Sequence, residues 1–401
     1  MTSSKQSTLP KGYSYAALAA GIKASGKPDL ALIVSETPAR AAGVFTTNKV
    51  VAAPVTLSLD RLKRNGTCQA ILINSGNANA CTGAQGMRDT TLCSEMTAQA
   101  LGIDENLIAV ASTGVIGVPL PMPRFIEAIP LLPTQLADES VDDVAQAMMT
   151  TDSFAKKSAA CGSVKGNAYS IVGIAKGAGM IHPNMATMLG FILTDACVEA
   201  TLLQDVLRRA NENSFNSITV DRDTSTNDTV LLLANGASEG AKIVAGTPEA
   251  ETFEAQIAEV MLDLAKMIVR DGEGATKLVT VQVRGARDRA AARQVAESIA
   301  TSNLVKTAFF GEDANWGRII AAAGYSGAEV DPNQVSILFG EIPVVKKGLS
   351  TGATLEAEAT KVLKTAEFTV TIDLGLGEGE AAYYTSDLTF DYVKINASYR
   401  S

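Results

Sequence analysis

Histidine is almost missing from this chain of 401 residues; the single one is His182. A histidine-rich metal site is therefore excluded, and any Ser-His-Asp or Cys-His nucleophile would have to pass through that one side chain. An enzyme built on this sequence takes its base from another group. Cysteine is sparse and odd in number, with Cys68, Cys81, Cys93, Cys161 and Cys197 scattered along the chain, which suits free thiols in a reducing compartment. No uncharged run is fit to span a bilayer; the longest of note, Leu107 to Pro123, carries three prolines. The first eight residues, MTSSKQST, lack the apolar stretch of a signal peptide, so the expected compartment is the cytosol. Positive charge is in deficit as well: 34 basic against 43 acidic side chains leave a net −9. Non-specific binding to nucleic acid or to an anionic membrane needs the opposite field.

What is present is a globular composition. Hydrophobic residues are 46% and charged residues 19%, which supplies a packed core and argues against disorder. The length leaves room for two domains. The first third reads as strands ending in Gly, Asn, Ser or Thr: Leu30 to Ser35, Gln69 to Gly76 and Leu107 to Gly114. Thr247-Pro248 reads as an N-cap followed by proline at the first helical position. Phe253, Ile257, Val260, Leu264 and Ile268 then recur at helical spacing until Asp271-Gly272. A shorter helical face is Leu203, Val206, Leu207 and Ala210. Strand structure is expected again at the end, from Phe368 to Gly375 and in a final strand with Leu388, Phe390 and Tyr392 on one face. Between them, GLGEGE is read as a hairpin loop, because its third glycine is displaced from the dinucleotide-binding pattern and no helix follows. There is no phosphate-loop motif and no repeat of 20–50 residues. The run Asp221 to Asp228 lacks the glycine and glutamate of a calcium loop, and is read as a polar loop held by its own Asx-type hydrogen bonds. These readings alone support only an α/β class with glycine-rich strand ends.

The densest unusual stretch is GIAKGAGMIHPNMATMLGFILTDA, Gly173 to Ala196. Taken alone it is a loop entering a core strand. A sharper reading is self-cleavage at Ala186-Thr187, in which the threonine hydroxyl attacks the preceding carbonyl and the resulting ester is hydrolysed. Thr187 would then carry a free α-amine beside its own hydroxyl, nucleophile and base in one residue. Such an amine has a pKa of about 7.7–8.0, against about 10.4 for lysine, and so offers free base near neutral pH without a histidine.

The run KGAGMIHPNMATML resembles the self-processing segment of the ornithine acetyltransferase family, the glutamate N-acetyltransferases of the cyclic arginine pathway. The likeness continues, in family order, through NSGNANACTG (Asn74 to Gly83), STGVIG (Ser112 to Gly117), MTTD (Met149 to Asp152), SFNSITVDRDTSTNDT (Ser214 to Thr229), DGEGATK (Asp271 to Lys277), KTAFFGEDANWGRI (Lys306 to Ile319) and DLTFDYVKINASYRS (Asp387 to Ser401). FTTNKVVAAPV, Phe45 to Val55, fits ahead of them. The resemblance implies a layered αββα domain with a smaller α/β C-terminal domain, from about residue 281 to 401. It implies cleavage into an α chain, 1–186, and a β chain, 187–401, assembled as two of each. Thr187 would be the nucleophile, Thr113 and Gly114 the oxyanion hole, and Thr150, Lys176, Thr187, Glu273, Asn396 and Ser401 the substrate contacts. The implied reaction passes an acetyl group from N-acetylornithine to Thr187, releases ornithine, and hands the acetyl group to glutamate. It needs no metal and no organic cofactor; some members also accept acetyl-CoA as donor.

Without the resemblance, Thr113-Gly114 would read as a strand-end turn, Lys176 and Glu273 as solvated loop charges, and Asn396 and Ser401 as a fraying tail. Thr150 and Thr151 are adjacent, and the sequence leaves open which one faces the substrate. His182 is read as a turn residue shaping the scissile loop, and Trp316 as packing. Ser153, Ala155 and Arg222 depart from the family pattern; a glycine is expected where Arg222 stands. The nearest rival is an N-terminal-nucleophile aminopeptidase or amidase, in which water takes the acyl group. A non-catalytic amino-acid-binding protein is the third reading, and an intact Thr187 speaks against it.

Overall fold

The computed structural model describes residues 9–182 and 188–398. The strands of the first half are β1 (Tyr13–Leu18), β2 (Leu30–Phe45), β3 (Thr67–Asn77), β4 (Ile108–Val115), β5 (Lys156–Val164), β6 (Asn167–Lys176), β7 (Leu189–Thr194), β8 (Ile218–Thr219) and β9 (Thr229–Ala234). All but β8 join one sheet in the order β4-β3-β2-β9-β7-β6-β5, with β1 beside β2. The expected strands at Leu30, Gln69 and Leu107 are β2, β3 and β4. The helices are α1 (Ala53–Asn65), α2 (Gly83–Leu101), α3 (Met122–Ala128), α4 (Val141–Ala147), α5 (Ala200–Glu212) and α6 (Pro248–Arg270).

The long strand β2 turns this sheet into two layers. Its first part, Leu30 to Val34, pairs with β1 and β3; the register with β3 shifts between Val34 and Ala39; Arg40 to Phe45 then pair with β9. Because side chains alternate across a strand, each layer has an inner and an outer face. Ile33, Ile71 and Ile73 from one layer meet Val172, Ile174, Phe191, Leu231 and Leu233 from the other in a shared core. Their sequence neighbours face outward: Leu32 and Leu72 pack with Cys93 of α2 and Phe125 of α3, while Ile171, Ile192 and Leu232 pack with α5 and α6. The result is helix, sheet, sheet, helix, the expected layering. Helix α6 forms where its caps predict: Thr247 accepts from Ala250 N, Pro248 opens the helix, and Phe253, Ile257, Val260, Leu264 and Ile268 are all buried.

A second sheet contains β10 (Leu278–Ala286), β11 (Ser336–Phe339), β12 (Ile342–Lys346), β13 (Leu349–Ser350), β14 (Glu367–Asp373) and β15 (Gly379–Ser386), in the order β13-β12-β11-β14-β10-β15-β8. Helices α7 (Arg289–Ala300), α8 (Asn303–Phe310), α9 (Trp316–Gly324) and α10 (Ala353–Leu363) accompany it, and α11 (Phe390–Ser398) ends the described chain. The short β8, which lies between α5 and β9 in the chain, joins the edge of this second sheet, parallel to β15 through Ile218 and Thr219.

Two sequence expectations are corrected here. GLGEGE is not a hairpin loop, because β14 and β15 do not pair; both flank β10, one parallel and one antiparallel. The loop straddles the end of β10, with Leu376 N and Gly377 N donating to Gly285 O. A Cβ on Gly379 would lie 2.2 Å from the Asp288 carbonyl carbon, so the crossing needs glycine. The final run is not a strand either. Thr389 Oγ1 accepts from Tyr392 N and donates to Gly274 O, an N-cap that starts α11. The apolar alternation spanned only three residues, and the cap prevails over it. None of the α11 residues is buried.

A buried ion network fastens α6 to the first sheet. Lys156 in β5 is fully buried, with Nζ 2.7 Å from Asp152 Oδ1 and 2.5 Å from Asp271 Oδ2, just past the α6 C-terminus. Burial works to raise the Asp152 carboxyl, but Lys176, Lys156 and the Thr150 amide outweigh it and hold it well below the usual carboxylate range. Lys156→Met leaves both carboxylates without their shared cation, and should destabilise the fold by about 3–5 kcal/mol in denaturant titrations at pH 7. A depressed carboxylate stabilises fully above its unfolded value of about 3.9 and loses that contribution as pH falls toward its folded value. The gap between wild type and Lys156→Met should therefore narrow below about pH 4.

Candidate active site

Six of the residues named from the sequence, Thr113, Gly114, Thr150, Lys176, Glu273 and Asn396, line one cleft of about 270 Å³. They arrive from five separate segments. Ala186, Thr187 and Ser401 lie outside the described residues.

Strand β4 delivers Thr113 and Gly114 at its C-terminal end, where its register with β3 is irregular at Gly76 and Asn77. Gly114 has φ 132°, and a Cβ there would sit 2.3 Å from the Gly76 carbonyl carbon and 2.5 Å from Asn77 N. Only glycine brings the backbone of β4 this close to β3. Lys176 ends β6 and is buried, with 5% of its surface exposed. Its Nζ donates to Thr150 Oγ1 at 2.8 Å and to Thr113 Oγ1 at 3.3 Å, and lies 3.9 Å from Asp152 Oδ2. Burial pulls this ammonium below its ordinary pKa, and Asp152 pulls it back. Both threonine oxygens act as acceptors toward Lys176, which leaves their own protons free to point elsewhere. Thr151 also lines the cleft, beside Thr150.

Glu273 follows the end of α6, its amide bonded to Ala178 O at 3.0 Å. Asn396 Nδ2 donates to Glu273 Oε2 at 2.8 Å. The Thr389–Gly274 bond that starts α11 is therefore also what carries Asn396 to Glu273. The cleft is thus lined by one lysine, by the carboxylates of Asp221, Asp223 and Glu273, and by the threonines and the glycine of the β4 end and the Thr150 turn.

The polar loop from Asp221 to Asp228 does more than the Asx reading expects. Asx-type bonds are present, for example Asp223 N to Asp221 Oδ1 at 3.2 Å. The same side chains also clasp distant segments. Asp221 accepts from Met180 N and Ile181 N at 2.6 and 2.7 Å, and Asn227 Nδ2 donates to Ala78 O and Ser112 O at 2.6 and 2.9 Å. Asp221, Asn227 and Tyr392 all line the cleft. Sequence reasoning missed Asp221 and Asn227 because their partners are long-range, and a local turn motif looks the same either way.

The departures from the family pattern have visible consequences. Arg222 has φ 69°, the left-handed region in which glycine is unstrained, which explains the expectation of glycine there. Ser153 donates its amide and its hydroxyl to Asp271, reinforcing the Lys156 network. Ala155 packs against the inter-sheet core. His182 is outside the cleft lining; its Nε2 is 3.2 Å from Glu297 Oε1. Trp316 packs on the second core and donates Nε1 to Glu356 Oε1 at 3.0 Å. Among the described residues no cluster of three or more His, Cys, Asp or Glu side chains could hold a metal ion, and no helix is long and apolar enough to cross a membrane.

The ArgJ family profile matches residues 14–401. The chain belongs to the ArgJ family. It is 64% identical to the arginine biosynthesis bifunctional protein ArgJ of Syntrophotalea carbinolica, over 97% of this chain and 99% of that one. It is 54% identical to the protein of the same name from Geobacter sulfurreducens, over 98% and 99%. A crystal structure of the arginine biosynthesis bifunctional protein ArgJ from Bacillus halodurans superposes with a TM-score of 0.52 at 45% identity, covering 53% of this chain and all of that one. The resemblance drawn from the sequence blocks holds across the matched length.

The close approach at Gly114 gives a direct check on the cleft wall. Gly114→Ala forces a Cβ into the β3 backbone and a side chain into an unfavourable φ, and should destabilise the protein by about 1–3 kcal/mol in thermal unfolding.

Proposed function

We infer that this ArgJ-family chain is a glutamate N-acetyltransferase of arginine biosynthesis, with N-acetylornithine as donor and glutamate as acceptor, acting through a threonine freed by self-cleavage at Ala186-Thr187. The observation that carries this reading is the cleft itself: Lys176 and Glu273, of opposite charge, face a space bordered by Thr113, Gly114 and Asn396. An acetylated amino acid presents a carboxylate, an amide carbonyl and, in ornithine, a second amino group. Lys176 suits the carboxylate, and Glu273 with Asn396 suits the ammonium.

The proposed chemistry uses these groups together with Thr187. The Thr187 hydroxyl adds to the acetyl carbonyl carbon while its α-amine takes the hydroxyl proton. The oxygen that becomes negative is met by the Gly114 amide and the Thr113 hydroxyl, whose own oxygen is already engaged by Lys176. Collapse breaks the C–N bond, and the α-ammonium returns its proton to the departing ornithine nitrogen. The acetyl-threonine ester is then attacked by the α-amine of glutamate, in the same steps reversed, giving N-acetylglutamate and free Thr187. Ser401 at the chain end closes over the substrate in this reading, and Thr150 orients Lys176. No metal or organic cofactor enters any step. Acetyl-CoA as an alternative donor would supply the second activity of a bifunctional enzyme. The active form is placed in the cytosol as two α and two β chains.

A denaturing gel of the purified protein should show fragments of about 19 and 22 kDa, in proportion to their share of the 41.7 kDa chain. The larger should begin at Thr187. Thr187→Ala should remain whole and inactive. With N-acetylornithine supplied and glutamate withheld, mass spectrometry should find one acetyl group on the larger fragment, and double-reciprocal plots for the two substrates should be parallel. Release of free acetate in place of transfer would identify a hydrolase instead, and a whole chain with full activity would remove the Thr187 mechanism.

A further inference from the structure

Lys306 is a buried amine that the cleft chemistry leaves unused. It has 2% of its surface exposed and sits on α8, the helix that places Val305 and Phe309 in the second core. Its Nζ donates to Thr385 Oγ1 at 2.8 Å, to Ser386 Oγ at 3.1 Å and to the Ser386 carbonyl oxygen. Thr385 donates its own proton to Ala300 O at 2.9 Å, which leaves its oxygen to accept from Lys306. Burial pulls the Lys306 pKa down to about 7, against Asp387 and Asp221, which pull it up. An amine in so dry a place is costly unless acceptors meet its protons, and these three oxygens do. All of them belong to the last two residues of β15.

Those two residues open the turn from which α11 starts. Asp387 Oδ1 accepts from Thr276 N and Lys277 N at 2.8 and 3.0 Å, and its Oδ2 accepts the Thr276 hydroxyl at 2.5 Å. Leu388 N donates to Lys306 O at 3.2 Å. Thr389 Oγ1 donates to Gly274 O at 2.7 Å. The turn is thus held between α8 and the loop that carries Glu273. Phe310, one helical turn after Lys306, meets Phe390 edge-on with ring centroids 5.5 Å apart. Contact with the loop leaves no slack: a Cβ on Gly274 would lie 2.6 Å from Tyr392 N, and one on Gly179 would lie 2.4 Å from Glu273 Cδ. Helix α11 buries none of its residues, so its direction is set at its base. Asn396 stands about 10 Å along the helix from Thr389, and a small tilt at the turn is enlarged there.

We propose that Lys306 is a positioning residue for donor selection: by fixing the turn at residues 385–389 it sets the pairing of Asn396 with Glu273, the contact that tells a donor with a side-chain ammonium from one with an uncharged end. This rests on the reading of that pair as the ammonium contact of N-acetylornithine. A misplacement of about 1 Å can cost about a hundredfold in rate. The hydrogen bond from Asn396 Nδ2 to Glu273 Oε2, 2.8 Å long, would be lost within such a shift. The rest of the cleft is held elsewhere. Thr150 and Lys176 are tied through Asp152, and Thr113 through the pairing of β4 with β3. Loss of the Lys306 contacts therefore falls on one part of the cleft and spares the other.

Lys306→Met keeps an unbranched stem and removes the three donations. Its kcat/KM should be measured for N-acetylornithine and for N-acetylnorvaline, which lacks the terminal ammonium, each with glutamate as acceptor. Wild type should prefer N-acetylornithine by about tenfold or more. In Lys306→Met that preference should fall by about fivefold or more, through a higher KM for N-acetylornithine, while kcat and the extent of self-cleavage stay close to wild type. Adding Lys306→Met to Asn396→Ala should cost little beyond Asn396→Ala alone, because the lysine acts through the asparagine. If Lys306→Met does not accumulate folded, Thr385→Val, which removes one acceptor and keeps the amine, carries the same readouts. An unchanged preference in the folded variant, a loss shared equally by both donors, or losses additive with Asn396→Ala each overturn the proposal. A wild type without preference for N-acetylornithine removes the ammonium reading of Glu273 and Asn396, and the proposal with it. A selective wild type beside an unaffected variant removes only the role of Lys306.

Discussion

Much of the cleft depends on one carboxylate, that of Asp152. Its Oδ1 accepts from Lys156 Nζ and from Gly177 N at 2.7 and 2.6 Å; its Oδ2 accepts from Thr150 N at 3.0 Å and faces Lys176. The turn that presents Thr150 and the strand end that presents Lys176 are thereby fixed to each other through a single side chain. Lys156 extends the chain of charges to Asp271, two residues before Glu273. Two lysines and two aspartates balance in charge, which is the condition under which such a buried group is tolerated. Lys23 adds a further brace, donating to Ala147 O and Met149 O just ahead of the Thr150 turn. Lys176 and Glu273 are thus both referred to the same buried scaffold.

That scaffold explains which parts of the molecule were legible in the sequence. Helix α6 could be read residue by residue, because its cap, its proline and its apolar stripe are all local. The strands at Leu30, Gln69 and Leu107 were legible for the same reason. The end of the chain was not. Alternation of Leu388, Phe390 and Tyr392 suggested a strand, while the bond from Thr389 to Gly274 that starts a helix instead joins residues 115 apart. The glycine loop after β14 looked like a hairpin because nothing local says that β10 lies between the two strands. In the candidate site, no spacing rule links Thr113 to Lys176 or Glu273 to Asn396. Those positions were available only through the family resemblance, and only the tertiary fold brings them to one cleft. Asp221 and Asn227 were missed because each clasps a segment far away in sequence, and Tyr392 because its helix was read as a strand.

The single histidine bears on where a base can come from. His182 lies against Glu297, whose carboxyl is held below its ordinary pKa chiefly by the hydrogen bond to that imidazole. It is outside the cleft lining, so it is not placed to take a proton there. Lys176 is inside, and burial does pull its pKa down. Its geometry nonetheless assigns it to another task. The ammonium donates to two threonine oxygens and faces a carboxylate, and loss of its proton would remove a donor from that set and leave Asp152 less compensated. Lys176 is better suited to remain a fixed cation held by Thr113, Thr150 and Asp152. With the imidazole paired elsewhere and the lysine committed, the α-amine of a freed threonine is the group whose ordinary pKa already matches the work. A cut chain is therefore a chemical requirement of this reading, since before the cut that nitrogen is an amide and cannot accept a proton.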